Sequence, residues 1–256
     1  MDFDGQTALV TGSSRNIGRA TAVALAELGA NVGVTAKSNV DGAAETARLV
    51  EKAGGKSVAT TADLADPDAI IDMVETVRDE LGPIDVLINN ATYRPTKPFL
   101  EIEPTDVDEV TNINFRGMLL TTQAVVPDML EAGHGSIVNL IGAMVYLGRP
   151  GKAHAYGSKM AIEGLVRQLA TELGPDGIRV NGLSPGLIDT DREMTPEWEA
   201  TIERVVEATP LGRMGTVDEI ADAACFLASD RASFMTGQIM HVNGGTYPIP
   251  NITPSR

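Results

Sequence analysis

The sequence predicts an α/β fold, one doubly wound parallel sheet flanked by helices on both faces. Two observations carry this. Short apolar runs alternate with amphipathic helical patterns along nearly the whole chain, and that alternation places strands in parallel with a helix at each crossover. The first crossover also contains a glycine-bearing turn aimed at a helix start, Thr11 to Gly18.

The first strand is Thr7-Ala8-Leu9-Val10. After the turn, Ala20, Val23, Ala24, Leu25 and Leu28 recur at helical spacing, and Gly29 closes that helix. A second strand covers Asn31 to Thr35. A helix from Asn39 to Ala53 ends at Gly54-Gly55, a strand follows at Lys56–Thr61, and a helix at Asp66–Leu81 stops at Gly82-Pro83. Ile84 to Asn89 is a strand. Pro104 to Ala132 is a long helical stretch, with Pro127 as a possible kink. Ser136–Ile141 is a strand, Ala153–Leu173 a helix, and Ile178–Leu183 a strand. Thr195–Ala208 reads as an inserted helix, Val217–Ala228 as a helix and Gln238–Val242 as the last strand. No linker or repeat divides the chain, so residues 1–256 form one domain, with an insertion at about 190–210 and an extended tail at 247–256.

Composition narrows the function. The net charge is −15, from 35 acidic and 20 basic residues, which disfavours nucleic acid and anionic membrane as partners. Only six of the basic residues are Lys, and an acidic, Lys-poor surface suits a halophilic protein, because salt screens its self-repulsion. No apolar run reaches membrane-spanning length, and Met1-Asp2-Phe3-Asp4 lacks the features of a signal peptide. A cytoplasmic protein is expected. Cys225, the single cysteine, falls in an apolar helical pattern and reads as a core residue. His134, His154 and His241 are isolated, so no metal site is expected.

The turn offers phosphate chemistry. Backbone N–H groups and the helix dipole favour an anion at a helix N-terminus, and glycine lets a pyrophosphate approach. Gly12 and Gly18 could equally be packing glycines. Asn16 takes a place where glycine would be expected, and Asn tolerates a left-handed backbone best among the other residues.

Thr11-Gly12-Ser13-Ser14-Arg15-Asn16-Ile17-Gly18 resembles the TGxxxGxG turn of the short-chain dehydrogenase/reductase family. Further landmarks follow in order: Asp63-Leu64, Asn89-Asn90-Ala91-Thr92, Asn112-Ile113-Asn114, Pro185-Gly186-Leu187-Ile188-Asp189-Thr190, Pro210-Leu211-Gly212-Arg213 and Val242-Asn243-Gly244-Gly245. The resemblance covers about residues 5–246 and implies a Rossmann-like fold, a nicotinamide cofactor and hydride transfer to or from a small-molecule substrate, in a homotetramer. The nearest activity it implies is that of a 3-oxoacyl-thioester reductase.

By the same resemblance, Gly12, Ser14, Arg15, Asn16, Ile17 and Gly18 hold the pyrophosphate. Asp63 and Leu64 hold the adenine, although Asp63 could equally cap the following helix; Asn90 and Ala91 also bind the cofactor, and Pro185, Gly186, Ile188 and Thr190 cover the nicotinamide. The second strand runs out at Thr35-Ala36-Lys37-Ser38 with no carboxylate. Arg15 and Lys37, with Ser38, therefore imply NADP, with NAD the less favoured cofactor; the other reading leaves both cations merely solvated.

The resemblance implies a Ser, a Tyr and a Lys as catalytic residues, with the Tyr and Lys one turn apart. Lys159 fits and also serves the cofactor ribose. Counting from Lys159, the Tyr position falls on Ala155 and the Ser position on Gly142, while Asn114 matches the family's active-site Asn, whose backbone helps hold a water-linked proton relay. Three readings stay open. Tyr156 could serve as proton donor, since i+3 and i+4 neighbours share a helix face. The proton could come from elsewhere, with Tyr146 as the candidate, as in enoyl- or dienoyl-thioester reductases. The chain could also bind a dinucleotide without turnover. His154 reads as a second possible donor or as a capping or surface residue. Ser158 reads as packing. Met144, Met160 and Met194 read as pocket lining or gap-fillers. The insertion, with the single Trp198, reads as a lid.

Overall fold

In the computed structural model, which describes residues 2–191 and 194–248, the first apolar run is β1 (Thr7–Val10), buried throughout. The chain continues through α1 (Asn16–Glu27), β2 (Asn31–Ala36), α2 (Val40–Lys52), β3 (Ser57–Thr61), α3 (Pro67–Leu81) and β4 (Val86–Asn89). Then come α4 (Pro104–Thr111), α5 (Met118–Ala132), β5 (Gly135–Leu140), α6 (Met144–Leu147), α7 (Ala153–Leu173), β6 (Ile178–Pro185), α8 (Pro196–Ala208), α9 (Val217–Ala228) and β7 (Ile239–Val242).

The strands form one parallel sheet in the order β3-β2-β1-β4-β5-β6-β7. Strand order reverses between β1 and β4, and a ligand crevice forms outside the carboxyl ends of strands at such a point. Side chains of β1 alternate across the sheet. Ala8 and Val10 join a core with Leu25, Val34, Ile88 and Ile220, under α1 and α9. Leu9 joins the opposite core with Ile70, Met73, Val77, Leu87 and Met129, under α3 and α5. Each fully buried side chain of this size contributes about 1.5–3 kcal/mol of transfer free energy. Cys225 lies in the first core, and burial pushes its thiol up to about 12.

Helix starts move by one residue where the first expected residue is a cap. Asn39 accepts from the Gly42 N–H, Asp66 from Asp68 and Thr195 from Trp198. The stretch 104–132 differs more. A π-helical turn, Asn112–Gly117, separates α4 from α5, whereas Pro127 lies inside the unbroken α5. The short α6 was not expected from the sequence. Of the tail, residues 249–256 lie outside the described residues.

Candidate active site

The turn after β1 is shaped by two left-handed residues. Gly12 has φ +63° and Asn16 φ +51°, and Asn16 is the one non-glycine among the described residues with positive φ. Its Oδ1 accepts from the Asp191 N–H at 3.0 Å. Gly18 leaves no room for a side chain: a Cβ would lie 2.5 Å from the Gly12 carbonyl and 2.6 Å from Asn90 Nδ2. Asn90 in turn donates to the Thr11 and Gly12 carbonyls, both at 2.9 Å. Thus the end of β4 braces the turn after β1. Arg15, at the N-cap of α1, caps no N–H of the helix with its side chain. Gly12, Ser14, Arg15, Asn16, Ile17 and Gly18 line a groove at the N-terminus of α1, a cradle that suits a pyrophosphate.

A groove of about 820 Å³ runs from this turn over the ends of β2 and β3. Gly12, Ser14, Arg15, Asn16, Ile17 and Gly18 line one side, and Lys37, Ser38, Asp63, Leu64 and Ala91 the other. Lys37 Nζ lies 2.7 Å from Asp63 Oδ2. The hydrogen bond to Asp63 raises the Lys37 ammonium above its ordinary value. Burial would raise the Asp63 carboxyl, but the Lys37 hydrogen bond and the Ala65 N–H more than offset it and hold the carboxyl low. The cation expected at a 2′-phosphate and the carboxylate expected at adenine are therefore one ion pair.

The groove opens into a smaller cavity of about 160 Å³, with Ile17, Asn90, Thr92, Arg94 and Thr190 lining both. Pro185, Gly186 and Ile188 form one wall, and Tyr156 and Lys159 of α7 face it. Lys159 is 1% exposed and its Nζ donates to the Leu140 carbonyl at 2.5 Å. Burial, and then the nearby Arg94 guanidinium, lower its ammonium to about 7. Gly142 also lines the cavity, with φ +112° and open space where a Cβ would stand. Ala155 is fully buried and lies outside the lining. Thus the tyrosine over this cavity is Tyr156.

The resemblance gives the Asn114 backbone a place in a proton relay, and the Asn114 side chain is engaged elsewhere. It does not line the cavity; it is wholly buried in the π turn. Its Oδ1 accepts from the Tyr93 N–H at 2.8 Å and from Thr92 Oγ1 at 3.1 Å, and its Nδ2 donates to the Tyr93 carbonyl and to Ser158 Oγ. Its side chain ties the loop after β4 to α7, one residue before Lys159. Ser158, the expected packing residue, is part of that tie and donates to the Ala155 carbonyl.

Tyr146 points elsewhere. Its hydroxyl donates to Glu163 at 2.8 Å, its ring stacks on Tyr247, and burial with the Glu163 carboxylate raises its phenol. His154 is neither a cap nor a surface group: it is 8% exposed, and neither ring nitrogen has a hydrogen-bond partner among the described residues. It does not line the cavity. Met144 lines the cavity, whereas Met160 and Met194 are exposed. Trp198 of α8 lines it too, with the Arg149 guanidinium 5.1 Å from its ring centroid. The residues that sequence reading missed are Thr92, Arg94, Arg149 and Lys152, all in the lining. Among the described residues no group of three His, Cys, Asp or Glu could hold a metal ion.

A family model described as enoyl-(acyl carrier protein) reductase matches residues 12–247. The chain is 37% identical to a 3-oxoacyl-[acyl-carrier-protein] reductase of Staphylococcus epidermidis over 94% of this chain and 99% of that protein. It is 38% identical to a gluconate 5-dehydrogenase of Gluconobacter oxydans over 95% of both chains. Among solved structures, a gluconate 5-dehydrogenase of Burkholderia cenocepacia in complex with NADP and tartrate superposes with a TM-score of 0.88, at 33% identity and 96% coverage of both chains. The cradle, groove and cavity of this sheet thus sit in a chain that belongs to the short-chain dehydrogenase/reductase family and is an oxidoreductase of that family.

Proposed function

We propose that the protein moves hydride between NADP(H) and a small carbonyl or alcohol substrate, with Tyr156 as the acid–base group. The observation that carries this reading is the placement of Tyr156 and Lys159 on one face of α7, in the wall of a cavity continuous with the dinucleotide groove. The residues present fit the cofactor. Gly12 and Gly18 clear the backbone for a pyrophosphate, and Arg15 with Lys37 offers charge to a 2′-phosphate. The complex of the Burkholderia cenocepacia relative with NADP supports that choice.

When bound, the nicotinamide supplies or accepts the hydride; the chain does the rest. In the reducing direction, the Tyr156 hydroxyl donates its proton to the substrate oxygen. Lys159, buried beside it, holds the ribose. Asn114 is a positioning residue: through Ser158 it fixes the turn of α7 that carries Lys159. Helix α8 covers the cavity with Trp198 and excludes water. With no serine at Gly142 and its backbone at φ +112°, the substrate oxygen depends more heavily on Tyr156 and neighbouring cations.

The test is turnover of NADPH with keto acids and 3-oxoacyl thioesters by the wild type and by Tyr156→Phe. Loss of turnover in the variant, with NADPH binding kept, supports the reading. Equal turnover in both removes Tyr156 from the chemistry.

A homotetramer remains our assembly proposal, supported by exposed Val107, Leu130 and Met160 on α4, α5 and α7. We also propose a cytoplasmic, salt-adapted protein without nucleic-acid or membrane partners, on the charge of −15. Among the described residues no helix is long and apolar enough to cross a membrane.

A further inference from the structure

The backbone just beyond β5 holds a hydrogen-bond donor that the protein itself does not use. The Ile141 N–H donates to the Leu183 carbonyl at 2.8 Å and the Ala143 N–H to the Pro185 carbonyl at 2.7 Å, so the chain stays extended beside β6 through residue 143. Successive N–H groups of an extended chain point to opposite sides. The Gly142 N–H, between those two, therefore points away from β6 and toward the β4 side. There β4 has already ended: its last residue, Asn89, pairs with Asn139. Among the described residues nothing accepts from the Gly142 N–H, although the Gly142 carbonyl accepts from the Val145 N–H at 3.3 Å.

The side that this N–H faces is the side of the chemistry. By the same alternation the Leu140 carbonyl faces that way, and Lys159 Nζ reaches it at 2.5 Å. Leu140, Gly142, Tyr156 and Lys159 all line the one cavity, and Gly142 is half-buried in its wall. A peptide N–H left in such a wall needs an acceptor from whatever fills the cavity. Gly142 has φ +112°, yet a Cβ built on it would meet nothing within 4 Å. Backbone conformation, rather than room, is therefore what demands glycine here.

We propose that the Gly142 N–H is an oxyanion donor, which hydrogen-bonds the same substrate oxygen that Tyr156 protonates. This rests on the reading of the site as a nicotinamide-dependent carbonyl–alcohol centre and adds a catalytic group to it. In the reducing direction, hydride from NADPH forms the new C–H bond and the C=O π pair moves onto oxygen. The Gly142 N–H stabilises the charge that develops there, the Tyr156 hydroxyl supplies the proton that completes the alcohol, and solvent returns a proton to Tyr156. A backbone N–H is fixed in direction before the substrate arrives, so it stabilises that charge without reorganising.

Two experiments test the donor. The first incorporates glycolic acid in place of Gly142, which exchanges the peptide N–H for an ester oxygen and leaves the shape unchanged. Its kcat for the keto acid or 3-oxoacyl thioester that the wild type reduces best should fall by about 10² to 10³, as on loss of one oxyanion donor, with NADPH affinity kept within about threefold. Turnover within about threefold of wild type overturns the proposal. The second uses NMR of the wild type carrying carbonyl-¹³C isoleucine and ¹⁵N glycine. Only Gly18 and Gly142 follow an isoleucine, so two amides carry both labels, and Ile17→Val removes the Gly18 signal to assign them. Isobutyramide, an unreactive carbonyl mimic, is added with and without saturating NADPH. The Gly142 amide proton should move downfield with the amide, and the Gly18 signal should move with NADPH alone. A Gly142 signal unmoved at the highest amide concentration overturns the proposal. A wild type that reduces no carbonyl compound, or a Tyr156→Phe variant as active as wild type, would overturn the reading of the site instead; the NMR titration then decides the donor by itself.

Discussion

Lys37 and Asp63 form an ion pair of 2.7 Å at the adenosine end of the groove, where one side chain is expected to meet a phosphate and the other a base. Recognition of the 2′-phosphate is therefore a competition between two anions for one ammonium. Lys37→Ala should weaken NADPH binding about tenfold while changing NADH binding little. Asp63→Asn should raise the ratio of NADPH to NADH affinity, because it removes the competing carboxylate. Fluorescence titration with both cofactors reads the two ratios.

Tyr156→Phe keeps the ring and removes only the hydroxyl. Turnover should fall by about 10² to 10⁴, the usual contribution of a positioned acid–base group. NADPH affinity should stay within about twofold of wild type, since the groove residues are untouched. Tyr146→Phe is the contrast: its hydroxyl serves Glu163, so turnover should hold and thermal stability should drop modestly. Activity lost in Tyr146→Phe and kept in Tyr156→Phe would transfer the proton to the other tyrosine.

Lys159 gives the cofactor-free protein a defined pH response. Burial lowers its ammonium to about 7, below the ordinary lysine value of 10.5. Between those values the unfolded chain binds more protons at this residue than the folded one, so the residue's contribution to stability rises with pH across that window. Below about pH 7 the cost of the buried charge is fully present. Lys159→Met should therefore raise the melting temperature relative to wild type at pH 6, with the gain shrinking as pH rises toward 10. Thermal scans at several pH values check the sign; a gain that grows with pH contradicts the assignment.

Asn16 holds φ +51° at the start of α1. Glycine adopts that backbone freely and a β-branched residue does not. Asn16→Gly should keep NADPH binding within a few-fold, whereas Asn16→Val should destabilise the chain by about 1–2 kcal/mol and weaken the cofactor strongly. Gly18→Ala should be worse still, because its Cβ would meet the Gly12 carbonyl at 2.5 Å. Melting temperatures and cofactor titrations of the three variants rank these costs.

The sheet was legible because strands and helices alternate with strong periodicity. β1, α7 and α9 run between the residues that apolar pattern and glycine stops had marked. The phosphate turn was legible from Gly12, Gly18 and the tolerance of Asn16 for a left-handed backbone. The π turn at Asn112–Gly117 was not, since one extra residue per turn leaves no mark on a pattern read at helical spacing. Nor was the burial of Asn114, whose partners Tyr93 and Ser158 come from distant segments. Arg94 and Arg149 sit on loops without periodicity. Lys152 stands directly before α7, at its N-cap, where helical spacing carries no signal. The pairing of Tyr146 with Glu163 needed the packing of α6 on α7.

The most direct test of the account is a paired titration and turnover of the wild type with NADPH and NADH in molar salt. It is followed by the fluorescence of Trp198, the single tryptophan and part of the cavity wall. The account predicts that NADPH binds at least about tenfold more tightly than NADH and is consumed when a carbonyl substrate is added. NADH bound as tightly as NADPH, or neither cofactor bound, would contradict it.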